Sequence, residues 1–121
     1  MLSLTSGVRV FVALGATDMR KSFDTLAAVA REKIGEDPLS GALLVFSNRA
    51  RNRLKILWWD RGGFWLLARR LERGTFAWPK PKSVDATSIE LRASELTMLL
   101  DGIDVTHTER RAWYERDRVR A

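Results

Sequence analysis

The chain has no cysteine, so disulfides and thiolate metal sites cannot form. Its single histidine, His107, excludes a histidine-rich metal cluster. No apolar run approaches the ~20 residues that a membrane-spanning helix needs. Residues 1–7 lack the charged and apolar regions of a signal peptide. By elimination the expected location is cytoplasmic, with no membrane partner. No internal repeat is visible, and no Gly-rich phosphate loop either, since Gly62-Gly63 reads as a hairpin turn. A chain of 121 residues is long enough to bury one core unaided.

What the chain has in excess is positive charge. Its formal net charge is +6 and its pI about 10.5. That balance favours polyanionic partners, nucleic acid first. The competing reading is a basic protein whose charge only keeps it in solution.

The apolar residues are concentrated between Leu43 and Pro79, in short runs punctuated by 48–52, Gly62-Gly63 and Gly74. Such runs predict strands joined by hairpins, at 42–47, 53–60, 64–72 and 75–78, with Pro79 ending the last. A turn on Gly62-Gly63 sets Trp58 opposite Leu67, whereas a turn from Asp60 to Gly63 sets it opposite Trp65. Both registers give the same faces, because side chains alternate. Leu54, Ile56, Trp58, Trp65, Leu67, Arg69 and Leu71 form a mostly apolar face, expected to meet the core. Arg53, Lys55, Leu57, Trp59, Phe64, Leu66, Ala68, Arg70 and Glu72 form a mixed one.

Val8 to Leu14 is a further candidate strand. Phe23, Leu26, Ala27, Ala30 and Ile34 follow helical spacing, with Thr17 or Ser22 as cap and Gly35 as stop. This helix is expected on the apolar face of the sheet, so that Trp58, Leu54, Ile56 and Leu67 bury against Phe23, Leu26, Ala27 and Ala30. Residues 35–41 form a loop and 80–85 a polar linker. A short helix spans 95–101, and Gly102 closes it. The fold class is therefore α+β: an antiparallel meander with a helix on one face and a short C-terminal helix. Residues 1–105 form the domain, and 106–121 a peripheral, densely charged tail with Trp113 and Tyr114 as its anchors.

Several segments are similar to one family, in order and with matching spacing. They are Thr17-Asp18-Met19-Arg20-Lys21 with Phe23-Asp24, the loop Gly35-Glu36-Asp37-Pro38-Leu39-Ser40-Gly41, and Lys55-Ile56-Leu57-Trp58-Trp59-Asp60. Arg70-Leu71-Glu72-Arg73-Gly74 with Phe76 and Trp78-Pro79, and Leu99-Leu100-Asp101-Gly102-Ile103-Asp104, complete the set. Together they resemble the accessory proteins called TnpB, from the second reading frame of the IS66 group of bacterial insertion sequences. The likeness spans Val8 to Asp104. Ser22 and Thr25 stand where the family usually has glycine. The resemblance implies a role in transposition beside a larger transposase that carries the catalytic acids. Expected partners are therefore DNA and the element's transposase.

Asp18, Asp24, Asp60, Asp101 and Asp104 lie beside basic residues or at turns and helix ends, where capping explains them better than two-metal chemistry. No nucleophile–base pair stands out, so no catalytic, metal or cofactor residue is assigned. Arg20 and Lys21, at a helix start, either pair with Asp18 or Asp24 or contact phosphate. Arg49, Arg51 and Arg53 form a basic hairpin tip, which Lys55, Arg69, Arg70 and Arg73 extend. A DNA-binding surface and a solvated loop are the two readings. Trp59 and Phe64 could stack bases, dock a protein partner, or lie beneath another element. The sequence thus supports a non-catalytic accessory protein of transposition that binds DNA, the transposase or both. Its alternative is an interaction subunit without DNA contact.

Overall fold

The computed structural model describes residues 7–81 and 83–102, and the backbone of 117–119. Its elements are β1 (Val10–Ala13), α1 (Phe23–Val29) continuing into a π-helical turn (Ala30–Ile34), β2 (Leu43–Ser47), β3 (Arg53–Asp60), β4 (Gly63–Arg70), β5 (Ala86–Leu91), α2 (Ala93–Leu100) and β6 (Asp117–Val119). The strands form one mixed sheet in the order β4-β3-β2-β1-β5-β6. The α+β class holds, and β2-β3-β4 is the expected antiparallel meander. The sheet as a whole is mixed, because β1 pairs with β2 in parallel.

That parallel pair explains the poor alternation of Val8 to Leu14. A central strand covered on both faces needs no polar side. All of Val10–Ala13 is buried, and so is Leu43–Ser47. Val10, Val12, Leu43 and Val45 point to one core layer, and Phe11, Ala13, Leu44 and Phe46 to the other.

α1 begins where Thr25 Oγ1 accepts the Ser22 backbone N–H at 2.9 Å. It closes through the Gly35 N–H bonded to the Ala30 carbonyl at 2.8 Å. Gly35 takes φ +80°, which glycine adopts without a Cβ penalty. Leu26, Ala27, Ala30 and Ile34 pack on Leu44, Phe46 and Leu57, with Phe64 and Leu66 at the margin. The helix therefore lies on the mixed face of the hairpin, opposite to the expected one. Leu54 and Ile56 are buried instead against Phe76, Trp78, Leu96 and Leu99. Trp58 is only partly buried there, Phe23 is 44 % exposed, and Trp65 and Leu67 are 58 % and 39 % exposed. The reason is connectivity. α1 joins two parallel neighbours, and such crossovers have one strongly preferred hand, which fixes the helix's side whichever hairpin face is more apolar.

Three further corrections concern the region after β4. Residues 75–78 are not a strand; they form an irregular segment, turned by a Trp78 N–H to Phe76 carbonyl bond at 2.9 Å, that caps the core layer of Leu54 and Ile56. Phe76 N–H bonds the Arg51 carbonyl at 2.7 Å, and the Trp78 indole N–H donates to the Ala13 carbonyl at 3.1 Å. β5 has no counterpart in the sequence reading, although Ile89 and Leu91 alternate with Ser88 and Glu90. It pairs antiparallel with β1. α2 starts two residues before the expected boundary, and the Glu95 carboxylate accepts the Arg92 N–H at 2.8 Å. Most of the expected tail, including Trp113 and Tyr114, lies outside the described residues; its residues 117–119 pair with β5 as β6.

Candidate nucleic-acid interface

The β2–β3 loop is held rigid by Asn48. Its Oδ1 accepts the N–H groups of Asn52 at 3.1 Å and Arg53 at 3.2 Å, and its Nδ2 donates to Asn52 Oδ1 at 2.8 Å. Ser47 Oγ bonds the Arg53 carbonyl at 2.8 Å, and Thr17 N–H bonds the Ser47 carbonyl at 2.8 Å. These bonds bring the loop before α1 against the hairpin tip. Lys55 adds a second tie: its ammonium donates to the Lys21 carbonyl at 2.7 Å.

Two adjoining hollows result, of about 300 and 540 Å³, which share Met19 and Arg53. Arg53, Lys55, Arg69, Arg70 and Glu72 help line the first; Asp18, Arg20, Asn48 and Arg49 help line the second. Apart from Arg69, whose guanidinium is bonded elsewhere, the walls of the pair thus carry five cations and two carboxylates. Arg53 stands directly across the ladder from Arg70. Like charges so placed repel, and an anion between them relieves the repulsion.

The predicted basic residues separate on closer view. Arg49 and Arg53 are exposed. Arg20 is pinned by Asp18, with Nη2 to Oδ2 at 2.7 Å and Nε shared between both oxygens. Those bonds, with the Arg20 backbone N–H on the same carboxylate, hold the Asp18 pKa down at about 2. Arg70 pairs with Glu72 at 3.0 Å while both stay exposed. Lys21 contributes its carbonyl to the Lys55 bond, and its side chain borders a different hollow, beside Asp18 and Lys33. Arg69 reaches to the opposite face, where Nη1 donates to the Leu100 carbonyl at the end of α2. Arg73 is exposed in the loop after β4.

Arg51 faces inward. Its Nη2 donates to the Leu14 carbonyl at 2.7 Å and its guanidinium sits 5.0 Å from the centre of the Trp78 ring. Burial, and then Arg49, push its pKa down. Its backbone takes φ +59°, an uncommon conformation for a residue with a side chain. Met19, Asn48 and Glu72 belong to the site although the sequence reading assigned them no role. The signal for Asn48 is its position at the end of a strand, where Asn side chains bond the backbone of a turn.

Trp59 and Phe64 face each other edge-on at 5.0 Å, both half-buried, and Phe64 packs on the α1 layer. Asp60 accepts the Trp65 indole N–H, and Asp101 caps α2. Asp104 lies outside the described residues. Among the described residues no group of three His, Asp or Glu side chains could hold a metal ion. Nor is any described helix long and apolar enough to cross a membrane.

The chain is similar to two proteins of Sinorhizobium fredii (strain NBRC 101917 / NGR234). "Uncharacterized protein y4hO" is 40 % identical over 109 residues, covering 90 % of this chain and 92 % of the relative. "Uncharacterized protein y4jC" is 29 % identical over 111 residues, covering 92 % of each. No solved structure matches significantly. Residues 8–110 match the family described as IS66 Orf2 like protein, a span that takes in both core layers and the basic groove. On that match the chain belongs to the IS66 Orf2-like family, accessory proteins associated with insertion-sequence transposition.

Proposed function

We propose that the protein is a non-catalytic accessory factor for transposition of its own element, and that it binds DNA through the groove between the β2–β3 loop and the start of α1. The observation that carries this reading is the convergence of Arg20, Arg49, Arg53, Lys55 and Arg70 on one concave surface, with Arg53 directly facing Arg70. A phosphate backbone lying there would neutralise that pair and release counterions at every phosphate it places against a cation. Asp18 and Glu72 each hold one arginine of the groove and limit how far its side chain can swing. Arg51 is left out of the DNA-binding set because its guanidinium is committed to Leu14 and Trp78.

The test is a fluorescence-anisotropy titration with element-end DNA at several salt concentrations. Wild-type affinity should fall steeply with salt. Replacing Arg49, Arg53 and Arg70 by Ala should flatten the slope by about one unit for each phosphate that is no longer neutralised. Equal slopes for the two proteins would remove DNA from the reading. The half-buried Trp59–Phe64 pair, as a docking point for the transposase, would then be the better assignment; its assay is pull-down with transposase and a Trp59→Ala variant.

A further inference from the structure

β4 is the end strand of the sheet, and among the described residues no strand pairs with its outer side. Edge strands of folded proteins are usually short, charged or bulged, because an open row of N–H and C=O groups recruits further strands. β4 is eight residues long, and its run Gly63-Phe64-Trp65-Leu66-Leu67-Ala68 carries neither charge nor proline. Its free side can be read from the turn. Asp60 pairs with Gly63, and Arg61 and Gly62 between them have φ +48° and +86°, as a two-residue hairpin of this hand requires. In such a hairpin the closing pair exchanges both hydrogen bonds. Gly63, Trp65, Leu67 and Arg69 thus direct their backbone groups to β3, while Phe64, Leu66, Ala68 and Arg70 direct theirs outward.

The face beside this edge is also uncovered at its rim. Trp65 stacks on Trp58 at 6.1 Å yet stays 58 % exposed, and Leu67 is 39 % exposed. The acid and the bases of this rim are at opposite ends of β4. Asp60 lies beside Gly63 and binds the Trp65 indole N–H, while Arg69 and Arg70 end the strand.

We propose that β4 is the two-fold interface of a homodimer, pairing antiparallel with β4 of a second copy, with Leu67 on the axis. A strand with its acid at one end and its bases at the other is self-complementary in antiparallel pairing. With Leu67 opposite the partner's Leu67, Trp65 faces the partner's Arg69, and Phe64 faces the partner's Arg70. Each cation then reaches an aromatic ring, and Arg69, on the face of Trp65, does so with Asp60 close by, a favourable setting for an arginine. Arg69 has several N–H groups, so its bond to Leu100 in its own chain can persist. The axis is perpendicular to the sheet, so Trp65 and Leu67 of both copies meet on one face. Both basic grooves then open on a common side of a continuous sheet. The strand pairing stands without the DNA reading and is tested without DNA.

The absence of native cysteine makes one test direct. Leu67→Cys would place two thiols across a non-hydrogen-bonded pair, where the Cα atoms are ~4.5 Å apart, within the disulfide range of ~4.4–6.8 Å. Under mild oxidation it should give crosslinked dimer much faster than Val84→Cys, a control at a fully exposed position. In sedimentation velocity the wild type should shift from monomer to dimer mass as concentration rises. Ala68→Pro removes an outward N–H and leaves the β3 ladder intact; Leu67→Lys sets like charges on the axis. Both should remain monomers with cooperative melts. The proposal falls if wild type sediments as monomer throughout, or if Leu67→Cys crosslinks no faster than Val84→Cys. It falls equally if both folded variants still dimerise.

Discussion

Arg51 stands between Arg49 and Arg53 in a basic hairpin tip, and the three side chains divide the work. Arg49 and Arg53 are open to solvent, whereas Arg51 ties Leu14 and Trp78 together. Arg51→Ala should therefore act on stability before it acts on binding. Losing a charged hydrogen bond and leaving the Leu14 carbonyl unpaired costs roughly 1–3 kcal/mol. A lower denaturant midpoint for Arg51→Ala, with near wild-type stability for Arg49→Ala and Arg53→Ala, is the expected result of urea melts. Asp18 gives a second residue-scale test. Its pKa is lowered to about 2, first by the Arg20 side chain and then by the Arg20 N–H, from an ordinary 3.8. A depressed carboxylate stabilises the fold above its ordinary pKa and loses that contribution as pH falls through the native value. The pair should therefore be intact above about pH 4 and dissolve towards pH 2. Titration of the Asp18 carboxyl carbon by NMR should show this, and Arg20→Ala should return the midpoint towards 3.8.

Among the elements, the 75–78 segment has a larger part than its lack of regular structure suggests. Trp78 and Phe76 are buried, and each is fixed by a hydrogen bond, Phe76 to the β2–β3 loop and Trp78 to the end of β1. Trp78→Ala should cost about 3–5 kcal/mol, the range for removing a buried large aromatic. Trp65→Ala, at the exposed rim, should cost much less in dilute protein. Thermal melts of the two variants under the same conditions decide the order, and equal losses would contradict the placement of the core layers. α1 shows how an element's own pattern leaves its partner open. Leu26, Ala27, Ala30 and Ile34 mark its buried side correctly, yet nothing in that spacing names the sheet face they meet.

At the scale of the molecule, the sheet is centred on β1 and β2, whose side chains are buried on both faces. β1 also has a strand on each side, β2 in parallel and β5 antiparallel. Its amides should therefore exchange with solvent only on global unfolding, while the outward amides of β4 exchange sooner in dilute protein. Hydrogen exchange followed by NMR would report both, and early exchange of Phe11 and Val12 would contradict the central position of β1. The groove too is a property of the whole. Residues 16–20, 48–53 and 68–72 each supply part of it, and the bonds of Thr17, Ser47 and Lys55 bring them together.

By itself the sequence determined what local chemistry controls. Alternation and turn residues placed the β2-β3-β4 meander, the Asp60–Gly63 turn was one of its two readings, and the spacing from Leu26 to Ile34 placed the buried side of α1. The segments around Thr17, Lys55 and Arg70 carried the family likeness. Tertiary structure alone decided what depends on partners distant in the chain. Which face α1 covers follows from the parallel pairing of β1 with β2, a link that no periodicity within either strand encodes. Whether an arginine meets solvent or a carbonyl depends on what folds above it. Arg51 meets the Leu14 carbonyl, 37 residues away in sequence, and Arg53 meets open solvent. Charge is written residue by residue, but the surface it creates exists only once separate segments share one wall.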